Sequence, residues 1–340
     1  MLSGSSQLVC RNEHLFSQGR WLVVNPTEAE IFAQLPSANI FGAHQYYDVY
    51  QQSLHAEQPQ SFGAELTLPA DEQVFDGVLI YLPKAKAHTA MLVANAQAVL
   101  RDGGTIVIVG SNDAGAKSVG KQFKASFNTL QKYDTARHCA LWLMQSEKQK
   151  PFSVVDYLKV STYSLNGIEW RVAGLPGVFS LDGIDVGTEL LLQSLPSIGA
   201  KSVLDFACGA GVIGSYIMRI NPEATLCFSD INALALFACE QTLALNGQVA
   251  TVRASNGLTE WQQSFDWVVT NPPFHTGKST DYSITENFIK QVAKHLHSQG
   301  ALVLVANRFL PYPELIDRSL KRQADLSRSN KFNVYHALKK

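Results

Sequence analysis

Residues Thr270–Gly277 read TNPPFHTG and follow the apolar run FDWVV. Two consecutive prolines remove two backbone donors and end regular structure, where Gly, Asp or Ser would build a plain turn more simply. The side-chain oxygen of Asn271 and the carbonyl of Pro272 can together accept both N–H groups of a planar amine. Pro273 stiffens the turn, and Phe274 offers a face on which a base stacks. Holding both N–H groups orients the nitrogen lone pair, so positioning and electrostatics supply the acceleration and no strong general base is required. The target is then an exocyclic amine or an amide. A nucleobase would have to be unpaired or flipped out of its helix. His275 reads as a local hydrogen-bonding residue, with a weaker claim on the departing proton or on RNA.

A second stretch, VLDFACGAGVIG (Val203–Gly214), is an apolar strand ending in an acid, then a glycine turn that opens a helix. Gly209 and Gly211 permit left-handed dihedrals and close approach of a ligand to the backbone. The helix start turns free N–H groups and its positive dipole end toward that ligand. Gly209, Gly211 and Gly214 also satisfy the dinucleotide spacing, and Asp230 ends the next strand. However, a carboxylate at Asp205 repels a pyrophosphate and suits an ammonium group, and an Asn-Pro-Pro turn has no part in hydride transfer. The cofactor expected is S-adenosylmethionine. Asp205 is placed at its ammonium, Asp230 at its ribose hydroxyls and Asn256 at its adenine edge. The competing readings are a helix N-cap for Asp230 and a simple Asn-Gly turn for Asn256.

These residues need a frame. Strands expected at Ser202–Phe206, Thr225–Ser229, Ala250–Ala254, Trp267–Thr270 and Ala301–Ala306 alternate with helices at Val212–Ile220, Ala233–Leu245 and roughly Thr285–His297. That order implies an α/β fold with a mostly parallel sheet covered on both faces. Lys331–Leu338 alternates like a strand and closes the sheet as a terminal antiparallel hairpin. The first half carries an echo: FDGVLIYLPK (Phe75–Lys84) matches FDWVVTNPPF (Phe265–Phe274), and LRDGGTIVIVG (Leu100–Gly110) matches LHSQGALVLVA (Leu296–Ala306). The offset is 190 residues in the first pair and 196 in the second, so six extra residues follow NPPF. Tyr81, Leu82 and Pro83 stand where Asn271, Pro272 and Pro273 stand. Trp21–Pro26 precedes no glycine cluster. The expectation is two tandem seven-stranded Rossmann-like domains: a degenerate copy at 1–150, a linker at 151–166 and a catalytic copy at 167–340.

Composition narrows the class. With 46% hydrophobic and 17% charged residues in 340, and a formal net charge of −1, the chain has no global signature of a nucleic-acid binder. Lys117, Lys121, Lys124 and Lys132 form an acid-free run around Phe123 and Phe127. Arg308–Lys340 holds eight basic residues against three acidic ones. Both are read as solvated faces. The five cysteines lack CxxC or CxH spacing and read as reduced thiols with no metal role. No membrane span or signal peptide is evident, which makes the cytoplasm the expected compartment. An internal duplication can replace a dimer partner, so a monomer is expected.

The chain resembles the class I amino-methyltransferases. More narrowly it is similar to the bacterial small-subunit ribosomal RNA guanine-N2 methyltransferase family called RsmC. The resemblance covers nearly the whole chain and rests on GVFSLDGIDVGTELLL (Gly177–Leu192), DFACGAGVIG, FSDINALA (Phe228–Ala235), NPPFHTG and VANRFLPYP (Val305–Pro313). It implies methylation of a guanine N2 in 16S rRNA, on an assembled or assembling small subunit. It also implies a catalytically silent N-terminal copy that helps folding or RNA docking, and places Asp185, Gly187 and Thr188 beside the methionine end of the cofactor. Adenine-N6 methylation of RNA or DNA is the alternative, since NPPF serves either amine. Glutamine-N5 methylation of a protein ranks lower. A cofactor-binding ribosome-assembly factor, acting by binding alone, is the reading from another class.

Overall fold

The computed structural model describes residues 2–35, 39–69, 73–199, 201–273 and 282–340. It divides into two units, Met1–Tyr157 and Leu158–Lys340. In the first, α1 (Gly4–Arg11) precedes β1 (Trp21–Val24), β2 (Ile40–His44), α2 (Tyr47–Ser53) and β3 (Gln60–Phe62). Then follow β4 (Phe75–Tyr81), α3 (Lys86–Val99), β5 (Leu100–Ser111), α4 (Val119–Phe123), β6 (Gln131–Ala136) and β7 (Cys139–Gln145). The sheet order is β3-β2-β1-β4-β5-β7-β6, parallel through β5 and antiparallel at the closing hairpin. Alternate residues of β1 and β4 fall into separate apolar clusters on the two faces, so these strands read as continuous hydrophobic runs.

The second unit opens with the hairpin β8 (Lys159–Leu165) and β9 (Ile168–Gly174). This corrects the expected linker at 151–166. Its Asn166-Gly167 pair adopts φ of 52° and 77°, the left-handed pair that a two-residue hairpin turn requires. After it come α5 (Val186–Ser194), β10 (Ser202–Phe206), α6 (Val212–Ile220), β11 (Thr225–Asp230), α7 (Ala233–Leu245), β12 (Thr251–Ala254) and β13 (Phe265–Thr270). The unit ends with α8 (Tyr282–His295), β14 (Leu296–Asn307), α9 (Tyr312–Ser319), β15 (Leu320–Arg322), β16 (Ser327–Arg328) and β17 (Phe332–Lys339). The order β12-β11-β10-β13-β14-β17-β15 repeats that of the first unit, with β16 also paired to β17.

The repeat extends to small irregularities. Both β4 and β13 carry a bulge after their first residue, at Phe75/Gly77 and Phe265/Trp267. The acid in each bulge caps the central strand: Arg20 N–H donates to Asp76 Oδ2 and Ser202 N–H to Asp266 Oδ2, each at 2.9 Å. Those N–H groups, with Arg101 added at Asp76, hold both carboxyls below the usual carboxylate range. The six extra residues fall between β13 and α8, in a span that includes 274–281, outside the described residues.

Candidate active site

The sheet of the second unit reverses its order beside β10, and the carboxyl ends of β10, β11 and β13 meet there, where an open α/β sheet binds ligands. Past β10 the chain takes left-handed dihedrals at Ala207 (φ 54°), Gly209 (53°) and Gly211 (76°). Two are the glycines expected to do so. Ala207 is not, and its Cβ costs about 1–2 kcal/mol there, strain of the kind that collects at functional turns. The glycines have different tasks. A Cβ on Gly209 would meet nothing within 4 Å, so this face is open to a ligand. On Gly211 it would lie 2.8 Å from Cys239 Sγ, and on Gly214 2.2 Å from the Phe228 ring. Those two let α6 pack against α7 and β11.

The carboxylates also divide their work. Asp205 is fully buried and accepts the Gly214 N–H at 2.8 Å. Burial pushes its pKa up to about 8 against that hydrogen bond. Its second oxygen, Oδ1, has no hydrogen-bond partner among the described residues. Asp205 fastens the start of α6 to the end of β10. Asp230 is half-buried, with Oδ2 accepting the Gly209 N–H and Oδ1 the Asn232 N–H, both at 2.9 Å. Burial raises its pKa and those N–H groups oppose the rise. Each oxygen keeps a lone pair, which fits two neighbouring ribose hydroxyls. The helix-cap alternative fails, because Asn232 caps α7 by accepting the Leu234 N–H at 3.0 Å.

Asn232, beside Asp230, was not singled out from the sequence, although Asn just before a helix was the available signal. Its Nδ2 donates to Gly177 O at 3.3 Å and brings the turn carrying Phe179, 61% exposed, beside Asp230. Asn256 is exposed in the turn after β12. The Ser255 N–H donates to Asp230 O at 3.0 Å, which sets that turn beside Asp230. The open face of Gly209, the spare lone pairs of Asp230 and the exposed Asn256 together fit a phosphate-free nucleoside cofactor.

Asn271 follows β13, one strand over. Its Nδ2 donates to Asp185 Oδ2 at 3.1 Å and to Thr188 Oγ1 at 2.9 Å. Both amide hydrogens are thereby used, and a carboxylate can only accept, so the orientation is fixed and Oδ1 is left as acceptor. Asp185 is the N-cap of α5 and accepts from the Gly187 and Thr188 N–H groups at 2.9 and 3.2 Å. The start of α5 was expected beside the cofactor's methionine end. Thr188 is 5% exposed, and its Oγ1 holds the Asn271 amide. The Thr270 hydroxyl donates to Phe206 O at 2.8 Å and ties the two strand ends together. Pro272 is buried and Pro273 exposed, while Phe274 and His275 lie outside the described residues.

Among the described residues no group of three or more His, Cys, Asp or Glu side chains could hold a metal ion. None of their helices is long and apolar enough to cross a membrane. Residues 169–336 match the methyltransferase small domain and residues 6–161 its N-terminal counterpart. A ribosomal RNA small subunit methyltransferase C of Pseudoalteromonas atlantica is 42% identical over 98% of this chain and 99% of its own length. The chain belongs to the ribosomal RNA small subunit methyltransferase C family. A member from Vibrio vulnificus is 38% identical, over 98% of both chains. The structure of a T. thermophilus 16S rRNA N2 G1207 methyltransferase in complex with AdoMet and guanosine matches with a TM-score of 0.84. It covers 99% of this chain and 92% of that one at 20% identity, which shows a shared fold of two class I methyltransferase units.

Proposed function

We propose that this chain methylates the exocyclic N2 of a guanine in 16S rRNA on the small ribosomal subunit, with S-adenosylmethionine as methyl donor. The T. thermophilus neighbour is a 16S rRNA N2 G1207 methyltransferase in complex with AdoMet and guanosine, and the family acts on small-subunit ribosomal RNA. The observation that carries the reading is Asn271, whose two amide hydrogens are spent on Asp185 and Thr188. Its oxygen and the Pro272 carbonyl accept the two N2 hydrogens and hold the lone pair in line. The cofactor would supply a methyl group on a sulfonium, the N2–CH3 bond forming as the S–CH3 bond breaks to leave a neutral thioether, with one N2 proton lost to solvent. Gly209, Gly211, Asp230 and Asn256 hold its nucleoside, and Gly187, Thr188 and Asp205 serve its methionine end. Pro273 keeps the turn rigid and Phe274 stacks on the flipped guanine.

The N-terminal unit is catalytically silent in this reading and serves folding or RNA docking. The protein acts as a cytoplasmic monomer, because an internal duplication can replace a dimer partner. The deciding experiment is transfer of labelled methyl to small subunits lacking the modification, followed by nucleoside analysis. N2-methylguanosine is expected. N6-methyladenosine would replace the base, and no transfer to any RNA with cofactor bound would leave an assembly factor.

A further inference from the structure

After β14 the chain makes a tight turn in which the Leu310 N–H donates to Asn307 O at 3.1 Å and the Arg308 N–H to Lys331 O at 2.9 Å. Leu310 and Tyr312 are buried beneath it, so its outer residue, Phe309, is held 79% exposed. A single exposed ring is ordinary on a protein surface, and its location must carry the argument. β14 runs parallel to β13 with Leu304 opposite Thr270, so the turn lies just beyond Asn271 on the next strand. Strand spacing and rise put Phe309 on the order of 10 Å from Asn271.

Packing joins the two positions. A Cβ on Gly187, next to Thr188, would lie 3.3 Å from the Phe332 ring, and Phe332 pairs with Asn307. Val186, 63% exposed, adds to the same rim.

Charge points the same way. The Arg308 guanidinium donates to Ser329 O at 3.3 Å, and among the described residues no carboxylate pairs with it or with Lys331. The nearby acid, Asp325, is 6% exposed and already flanked by Arg322 and Arg328. An outward aromatic beside two unneutralised cations is the pairing that binds single-stranded nucleic acid.

We propose that Phe309 is a stacking platform for an unpaired nucleotide flanking the target guanine, with Arg308 and Lys331 on the adjoining phosphates. The inference rests on the RNA reading above. It assigns a second base subsite that decides which guanine is presented.

The test is steady-state methylation of small subunits lacking the modification by wild type, Phe309→Ala, Phe309→Trp and Phe309→Leu, with cofactor affinity as the folding control. Phe309→Ala should raise the KM for subunits about 10- to 100-fold, as loss of one stacked base does. Saturating kcat and cofactor Kd should stay within about threefold, and Trp should restore KM while Leu does not. Arg308→Ala should also lower the salt dependence of subunit binding by about one phosphate contact. An unchanged KM in Phe309→Ala, beside an active wild type, overturns the platform and leaves the function standing. Rescue by Leu equal to Trp means a plain apolar contact, as with a subunit protein, and also overturns it. An inactive wild type would instead refute the RNA reading.

Discussion

The two units solve the end of their fourth sheet position with the same hydrogen bond and opposite outcomes. In the first, α1 is capped by Ser3, and Ser6, three residues on, meets the Tyr81 hydroxyl at 2.8 Å. In the second, α5 is capped by Asp185, and Thr188, three residues on, meets the Asn271 amide at 2.9 Å. Tyr81 and Asn271 occupy the same register, one past Ile80 and Thr270, which pair with Val24 and Phe206. The phenol ends as buried filling. The amide, held by the same device, ends with a carbonyl oxygen to spare.

The neighbouring turns differ likewise. Asn25, at φ 51°, matches Ala207 in conformation, yet no glycine follows it. Its Oδ1 accepts the Gln45 N–H at 2.7 Å and its Nδ2 donates to Gln45 Oε1 at 2.9 Å. That oxygen also accepts from His88 Nε2 at 2.7 Å, and Gln45 Nε2 donates to Ala64 O at 3.0 Å. Where the second unit keeps lone pairs on Asp230, the first has His44, joined to Gln60 Oε1 at 2.8 Å. Ligand recognition needs accessible, unspent polar groups at the strand ends; here Asn25 and Gln45 are spent on each other, His88 and Ala64, and the unpaired Nδ1 of His44 is buried. That is the physical basis for reading the first unit as silent.

Four perturbations bear on this contrast. Asn271→Ala, which removes the spare oxygen, should lower kcat about 10²–10³-fold, the scale of one lost preorganised contact at a reacting centre. Cofactor affinity by calorimetry should change little, and equal loss of both would place Asn271 in the cofactor pocket instead. Asp230→Ala should weaken cofactor binding by about 1.5–3 kcal/mol, as for lost hydrogen bonds to a charged group. An unchanged Kd would return Asp230 to a purely structural role.

The matched pair of hydrogen bonds gives a finer test. Thr188→Val should cost about tenfold in kcat through misaimed Asn271, with Thr188→Ser restoring it. Tyr81→Phe, its counterpart, should cost about 1 kcal/mol of stability in the first unit and leave kcat alone. A kinetic effect of Tyr81→Phe would show that the first unit takes part in turnover.

The smallest effect is on pH. Burial holds His88 near a pKa of about 4, against 6.5 for an exposed histidine. Between those values the unfolded chain binds a proton that the folded one refuses, so stability falls as pH drops through that window. Asp205 has the opposite sign. Its folded pKa of about 8 exceeds the ordinary 3.8, so its contribution is complete below that lower value and is lost as pH rises toward 8. Denaturant unfolding from pH 4 to 8 should lose one slope in His88→Gln and the other in Asp205→Asn. Parallel curves for all three proteins would remove both groups from the account.

Much of this was legible in the chain. β10, α6 and α7 fall at the limits expected, because apolar periodicity and glycine or asparagine stops act over a few residues. The duplication was legible too, since a sheet position imposes its pattern wherever it recurs. The hairpin at Asn166-Gly167 was also written locally, in a turn signal strong enough to have displaced the linker reading. In the basic run the lysines are exposed, and Phe123 and Phe127 belong to the core.

The sequence by itself determined which atoms could do chemistry: an asparagine before two prolines, a glycine turn behind an acid, and an acid at the next strand end. Tertiary structure decided how those atoms are used. Asp205 turns inward, where one oxygen accepts an N–H from a helix packed over the strand and burial raises its pKa. Asn271 presents oxygen, not nitrogen, because its amide hydrogens are claimed by residues 83 and 86 positions away. Propensity and spacing are read over a few residues, whereas the orientation of a planar amide is set by whichever donors and acceptors the packed fold brings to it.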